Sequence, residues 1–212
     1  MNASKNQKQQ LNLTIYSDYA WPWCYVGQYL VERVKKEYQA EIDWEPFLLH
    51  PEGAKGPRLP PPPRDERFKA MRERLKQLAG SYGLPFVESG IRPDSRRALE
   101  ASEYAQVQGK NEEFHRLVFK KLFGDGQDIH DWTVLKAAAT ESGLDPDEMQ
   151  REVESGKYFE VLNKKLTEAQ ALNVNAVPTF IINSRYLVEG AQPYEEFKRL
   201  IEYLAEQAPP ES

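Results

Sequence analysis

The segment Trp21-Pro22-Trp23-Cys24 carries the side chain best suited to thiol chemistry. Cys24 is the only cysteine in the 212 residues. Dithiol–disulfide exchange needs two thiols, and the attacking group is a thiolate. A single chain therefore cannot complete a dithiol cycle, although exchange through the one thiol remains open if Cys24 is accessible. The competing interpretation is a buried cysteine that only packs, because free cysteine is among the most buried residue types.

Local patterns place this segment where a strand meets a helix. Residues 11–17 alternate apolar and polar side chains, which predicts a strand. Pro22 suits the first turn of a helix, where its missing N–H costs no hydrogen bond. A second strand is predicted over residues 42–49, because Pro51 ends the pattern. The helix after Pro22 is indicated by apolar residues at helical spacing: Val26, Tyr29, Leu30 and Val34.

The middle of the chain is helical in pattern, and strands return near its end. Residues 53–63 are rich in proline and glycine and predict an extended linker. Residues 64–170 show helical periodicity. Two short apolar runs, 179–182 and 186–189, flank the polar segment Asn183-Ser184-Arg185 and predict a β-hairpin. A final helix is predicted from Pro193.

This order predicts an α/β fold with βαβ and ββα halves that share one sheet. The two halves are residues 11–52 and 171–208, and each is too small to be a domain alone. The helical block 64–170 is then an insertion between them. Residues 1–10 are polar and are expected to form a disordered tail.

Composition excludes several classes of function. A formal charge of −5 and a pI near 5.4 argue against a phosphate-binding surface, so no nucleic-acid partner is expected. No apolar run is long enough to span a bilayer, and residues 1–10 lack a signal-peptide core. A cytoplasmic protein without a membrane partner is therefore expected. His50, His115 and His130 are scattered, so no metal site is predicted.

Three motifs in a fixed order carry a family resemblance. Residues 17–27 resemble the Cys-Pro-Trp-Cys-Tyr-x-Gly signature of FrnE-like proteins, in the DsbA branch of the thioredoxin fold. Residues 175–180 and 190–193 resemble the C-terminal motifs of that family. The similarity spans residues 11–207 and extends to 2-hydroxychromene-2-carboxylate isomerases and kappa-class glutathione transferases. It implies a thioredoxin fold with an all-helical insertion between the βαβ and ββα halves, and thiol-disulfide oxidoreductase activity.

The resemblance also assigns roles within the site. The first cysteine of the family motif is the nucleophile, and Trp21 stands there in this chain. Cys24 takes the second, resolving position, so the resemblance implies a degenerate motif with impaired or altered dithiol activity. A cis peptide is implied at Val177-Pro178, in a loop that presents backbone groups to a peptide or to glutathione. Cys24 is then the catalytic candidate, and the substrate-binding candidates are Trp21, Pro22, Trp23, Tyr25, Val177 and Pro178.

Two alternative functions remain beside the oxidoreductase. The first is a glutathione-dependent isomerase or transferase, which makes glutathione the candidate cofactor. The enzymes of this class that the chain resembles carry a serine where Trp21 stands. Ser17 and Tyr16 are weak substitutes for that serine hydroxyl. The Tyr25 phenol could donate a hydrogen bond to an anion. The second is a non-catalytic protein that binds a peptide or a small ligand. The expected partner is a thiol-containing peptide, protein or small molecule, and the resemblance allows a homodimer.

Two further positions depart from the family pattern. Leu99 stands where relatives carry a histidine, which would remove a proton carrier if that side chain faces the motif. His50 stands before Pro51 where relatives often carry asparagine. A lone histidine at a strand end is more often structural or solvated than catalytic.

Overall fold

The computed structural model describes residues 11–49, 66–91 and 93–206. The predicted tail, the proline-rich linker and His50 lie outside these residues. The described elements, in chain order, are β1 (Asn12–Ser17), α1 (Pro22–Tyr38), β2 (Glu41–Pro46), α2 (Glu66–Ser81), α3 (Arg96–Val107), α4 (Asn111–Phe119), a π-helix (Lys120–Gly124), α5 (Trp132–Glu141), α6 (Pro146–Glu154), α7 (Lys157–Ala171), β3 (Thr179–Ile182), β4 (Tyr186–Glu189) and α8 (Tyr194–Glu206).

The four strands form one sheet in the order β2-β1-β3-β4. β1 runs parallel to β2, and Ile15 pairs with Trp44. β3 runs antiparallel to both β1 and β4. The first two strands flank α1, and the last two precede α8. The predicted α/β class, with βαβ first and ββα last, is confirmed.

The β-hairpin at the end of the sheet follows from its turn residues. Asn183 and Ser184 both have positive φ, 50° and 54°. The Arg185 N–H donates to the Ile182 carbonyl at 3.1 Å, which closes the turn. Two consecutive residues with positive φ match the right-handed twist of paired strands. The predicted strands 179–182 and 186–189 are confirmed.

β2 is shorter than the predicted strand 42–49, because its partner ends first. β1 stops at Ser17, which pairs with Pro46. The Phe47 N–H makes a last bond to the Ser17 carbonyl at 2.9 Å. The Leu49 N–H instead donates to the Asp18 carboxylate at 2.7 Å. The apolar residues after Pro46 therefore leave the sheet although their pattern continues.

The described side chains pack into two apolar clusters. The sheet core joins strand residues such as Ile15 to Val26 and Leu30 of α1, and it includes Leu75 of α2. The helical core is built mainly by α3 to α7 and includes Cys24. Helix α1 therefore packs into both cores, and its first turn lies where they meet. No helix in the described ranges is long and apolar enough to cross a membrane.

Candidate functional site

The first turn of α1 offers an uncapped helix N-terminus. Trp21 is the N-cap residue, with an extended backbone, φ −108° and ψ 113°, and its side chain caps no backbone group. Its carbonyl accepts a hydrogen bond from the Cys24 N–H at 2.9 Å. The positive end of the helix dipole falls at this position. A negatively charged group would be stabilised at the place that the Trp21 side chain occupies.

The Cys24 thiol is buried, with 1% of the residue exposed. Burial raises the pKa of this thiol far above its ordinary value, and the negative charge of Asp18 acts in the same direction. The Asp18 backbone and the neighbouring Ser17 hydroxyl lower the pKa by less than burial raises it. At neutral pH the group is a protonated thiol, and the interpretation of Cys24 as a packed side chain agrees with this environment.

Cys24 in the folded protein is expected to react with 5,5′-dithiobis-(2-nitrobenzoate) at pH 8 on the order of 10³-fold more slowly than in urea. The raised pKa removes the thiolate and burial blocks the reagent. Absorbance at 412 nm follows the reaction, and the unfolded chain supplies the matched control. A native rate within a few-fold of the unfolded rate would contradict the buried assignment.

The Asp18 carboxylate holds the loop between β1 and α1. Asp18 is fully buried. One carboxylate oxygen accepts from the Ala20 N–H at 2.9 Å, and the other accepts from the Leu49 N–H at 2.7 Å. The carboxylate therefore links the start of the motif to the segment after β2. The bond from the Ala20 N–H is the turn that an aspartate side chain forms with the backbone two residues on, so the aspartate itself is a sequence signal for this turn.

The loop that contains Pro178 lies against α1 at Gly27. The peptide bond between Val177 and Pro178 is cis. A Cβ atom placed on Gly27 would lie 3.2 Å from Pro178 Cγ, so only glycine permits this approach without displacement. Val177 is buried in the helical core together with Cys24. The structure thus brings the predicted motif and the predicted proline loop together.

The Tyr25 hydroxyl is already used within the protein. It donates to the Pro85 carbonyl at 3.0 Å. The side chain is buried, its ring stacks on Phe123 with 5.7 Å between centroids, and burial raises the pKa of the phenol to about 12. Since a phenol has one proton to donate, an anion at the helix start would have to displace the Pro85 bond.

The two tryptophans of the motif pack against different parts of the protein. Trp21 is half-buried against the helical core, and Trp23 is half-buried against the sheet core. Pro22 lies between them as the first residue of α1. Leu99, where the family resemblance implies a histidine, is buried in the helical core. Its apolar side chain contributes no proton-transfer group to the site.

A buried polar cluster next to the motif was missed by sequence reasoning. The Tyr19 hydroxyl lies 2.5 Å from the Ser102 hydroxyl and 2.9 Å from His115 Nδ1. The His115 ring stacks on Trp44 at 4.1 Å, and burial lowers the pKa of the imidazole to about 3. These groups come from the β1–α1 loop, α3, α4 and β2. No local sequence pattern therefore predicts the cluster.

No group of three or more histidine, cysteine, aspartate and glutamate side chains in the described ranges could hold a metal ion. His115 is buried among aromatic rings, and His130 lies 3.9 Å from the Asp94 carboxylate on the surface. The arrangement at the start of α1 therefore provides a helix N-terminus, a proline loop and a buried thiol.

The chain matches a protein-family model over most of its length. Residues 12–202 match the model of the DSBA-like thioredoxin domain. The chain is similar to the uncharacterized protein YwbO of Bacillus subtilis (strain 168), with 29% identity over 194 residues, which are 90% of this chain and 96% of YwbO.

Solved structures agree with this family at the level of the fold. The probable DsbA oxidoreductase of Streptomyces coelicolor has a TM-score of 0.79 and 23% identity, and the match covers 96% of this chain and 93% of that one. A 2-hydroxychromene-2-carboxylate isomerase gives 0.77 and 18%, covering 92% and 95%. The cytosolic disulfide reductase DsbM of Pseudomonas aeruginosa with GSH gives 0.65 and 15%, covering 92% and 99%.

Proposed function

Because this chain belongs to the DSBA-like thioredoxin domain family, we propose that it is a FrnE-like member whose degenerate motif no longer supports dithiol redox chemistry. Its retained site binds a thiol-containing peptide, protein or small molecule, with glutathione as the candidate ligand. The proposal rests on the first and last residues of the motif, Trp21 and Cys24. Trp21 stands where the family resemblance places the nucleophile, and Cys24, the only cysteine, is buried.

The chemistry of disulfide exchange explains why the dithiol activity is lost. A thiolate attacks a substrate disulfide and forms a mixed disulfide, and one substrate sulfur leaves as a thiolate. A second thiol of the enzyme must then break the mixed disulfide to release the reduced substrate. An indole at position 21 cannot attack, and the buried Cys24 thiol has no partner in the chain.

Other features of the site support the second half of the proposal, which is that the site binds a ligand. The α1 N-terminus has no side-chain cap, and a carboxylate of a ligand would be stabilised there. The Pro178 loop packs on Gly27 beside this helix end. The half-buried Trp21 ring borders the same region and can contact the apolar part of a ligand. A cytoplasmic location is part of this proposal, since glutathione is the intended ligand.

A glutathione-dependent isomerase or transferase is the second candidate. It is favoured by the similarity of the fold to a 2-hydroxychromene-2-carboxylate isomerase. The site offers little to activate a bound thiol, because Trp21 has no hydroxyl and the Ser17 side chain is 1% exposed. We therefore place ligand binding ahead of catalysis with glutathione.

Thermal unfolding with reduced glutathione tests the proposal. A ligand that binds only the folded state raises stability by about 2.7 kcal/mol at a hundred times its dissociation constant. We expect reduced glutathione to raise the melting temperature in a saturable way, and Trp21→Asp to weaken the effect by placing a charge at the helix start. The wild type is expected to show no insulin reduction.

The matched control is Glu160→Asp, which changes an exposed acidic residue of α7 away from the motif. It is expected to leave the glutathione response unchanged. Insulin reduction by the wild type, or a melting temperature that glutathione does not shift, would each overturn the corresponding half of the proposal.

A further inference from the structure

A strap, residues 84–89, lies across Tyr25 and the π-helix and forms neither a helix nor a strand. The Tyr25 hydroxyl donates to the Pro85 carbonyl at 3.0 Å. The Val87 N–H donates to the Phe123 carbonyl of the π-helix at 2.7 Å. The strap therefore covers the phenol of the residue that directly follows Cys24.

Glycines with positive φ flank the strap on both sides. Gly83 has a φ of 69° and Gly90 has a φ of 71°. Apart from adjoining residues, a Cβ atom placed on either glycine would meet no atom within 4 Å in the described part of the chain. Glycine changes its backbone angles at low steric cost, and both positions have the space to do so. Because a hinge consists of a few residues that absorb the backbone change of a moving segment, these glycines suit the two ends of a lid.

The strap packs closely on the surface beneath it. A Cβ atom placed on Gly124 of the π-helix would lie 3.3 Å from Pro85 Cγ and 3.6 Å from the Tyr25 hydroxyl oxygen. Glycine at this position thus allows the strap to approach the π-helix. The Phe86 ring stacks on Phe123 with 5.9 Å between centroids and 9° between planes. The closed position of the strap is therefore a specific packed arrangement.

Ion pairs hold the strap to α2. The Glu88 carboxylate lies 2.7 Å from Lys76 Nζ and also pairs with the Arg72 guanidinium. The three side chains are between 38% and 45% exposed, so water and salt weaken their attraction. Val87 is 45% exposed, and its release exposes little further apolar surface. A segment with exposed charges and few buried contacts can open locally while the core stays folded.

We propose that the strap is a hinged lid over the Tyr25 hydroxyl and that Glu88 holds it closed. In the closed state the Pro85 carbonyl accepts the one proton that this phenol can donate. In the open state the hydroxyl and the Phe123 ring face solvent, and a ligand carboxylate can replace the Pro85 carbonyl as the acceptor. The lid thus controls a hydrogen-bond donor of α1. It is a property of the protein without a ligand, so it does not depend on glutathione binding.

Native-state hydrogen exchange of the full chain, resolved at single amides by mass spectrometry with electron-transfer fragmentation, tests the lid. The Val87 amide is expected to exchange at least ~10-fold faster, after correction for intrinsic rates, than the Leu99 amide, which donates to the Ser95 carbonyl in the helical core. Low urea concentrations are expected to change the Val87 rate little, because a local opening exposes little surface. Equal rates and equal urea dependence of the two amides would show that the strap opens only when the protein unfolds, which overturns the proposal.

Two variants test which contacts keep the lid closed. Glu88→Gln removes both ion pairs and is expected to speed Val87 exchange by about 3- to 10-fold and to remove most of the acceleration that about 0.5 M NaCl causes in the wild type. Tyr25→Phe removes the bond to the strap and is expected to speed exchange by about 3- to 10-fold as well. Glu112→Gln is the control, because it removes an ion pair of similar exposure with Lys35 of α1. If neither variant changes the Val87 rate more than the control does, these contacts do not hold a lid and the proposal is wrong.

Discussion

Trp21→Cys is expected to reduce insulin disulfides with dithiothreitol as the electron donor, at a rate at least ~10²-fold above that of the natural chain. The substitution places a thiol at the N-cap of α1, beside the uncapped backbone N–H groups. The helix dipole stabilises a thiolate there, whereas the buried Cys24 lacks this advantage. This variant therefore tests whether the scaffold supports disulfide exchange once position 21 carries a thiol.

The electron balance of that variant is complete. The thiolate introduced at position 21 attacks an insulin disulfide, and Cys24 then attacks the mixed disulfide to release reduced insulin. The enzyme is left with a disulfide between positions 21 and 24, and dithiothreitol reduces it. The Cys24 N–H already bonds to the residue 21 carbonyl at 2.9 Å, which sets the two positions one helical turn apart.

Two control variants identify the chemistry. Trp21→Ser removes the indole without adding a thiol and is expected to stay inactive. Trp21→Cys combined with Cys24→Ser keeps the nucleophile without the resolving thiol, and it is expected to accumulate mixed disulfides with little turnover. If Trp21→Cys is folded by circular dichroism yet inactive, a thiol at position 21 is not sufficient for disulfide exchange in this scaffold.

His115 is expected to make the protein sensitive to acid. Burial lowers the pKa of its imidazole to about 3, whereas the ordinary value in an unfolded chain is about 6.5. Below pH 6.5 the unfolded chain binds a proton that the folded protein excludes. Stability therefore falls as the pH decreases from about 6.5 to about 3, and this group contributes no pH dependence above that range.

The size of this effect follows from the single proton that His115 binds in the unfolded chain. Each pH unit within the range costs about 1.4 kcal/mol, so His115 is expected to lower the free energy of unfolding by about 2–3 kcal/mol between pH 7 and pH 4.5. His115→Phe keeps the aromatic packing on Trp44 and removes the titrating group. Tyr19 retains its contact with Ser102 in that variant.

Urea unfolding followed by tryptophan fluorescence at both pH values measures the difference. The His115→Phe protein is expected to lose less stability on acidification than the wild type, by about the same 2–3 kcal/mol. His130→Gln is the matched control, because that side chain is exposed, and it is expected to keep the wild-type dependence. Equal losses in the wild type and His115→Phe would show that the buried imidazole is not the acid-sensitive group.

Much of the architecture could be predicted from local sequence patterns. Three such patterns each depend on the backbone conformation of a few neighbouring residues. They are the alternation in β1, Pro22 at the start of α1 and the hairpin around Asn183. The Asp145 carboxylate caps α6 by accepting from the Asp147 and Glu148 N–H groups, both at 2.9 Å, as its position before Pro146 predicts. Such features depend on propensity and short-range hydrogen bonds, so they can be read without the tertiary structure.

Some boundaries could not be predicted, because distant partners decide them. β2 ends where β1 ends rather than where its apolar pattern ends. The helical segment that begins with α4 continues through a π-helix that ends at Gly124. The Asp125 N–H donates a hydrogen bond to the Lys120 carbonyl at 2.9 Å. Such i to i+5 bonds have no simple sequence signature.

For the site, the sequence by itself determined that the chain has one thiol, that a tryptophan stands at the first motif position and that a proline loop follows the helical block. Only the tertiary structure decided that the thiol is buried, and that Tyr19 meets Ser102 and His115 across 83 and 96 residues. The reason is physical. Residue types determine which reactions are available, whereas burial and long-range contacts determine which charges and hydrogen bonds exist.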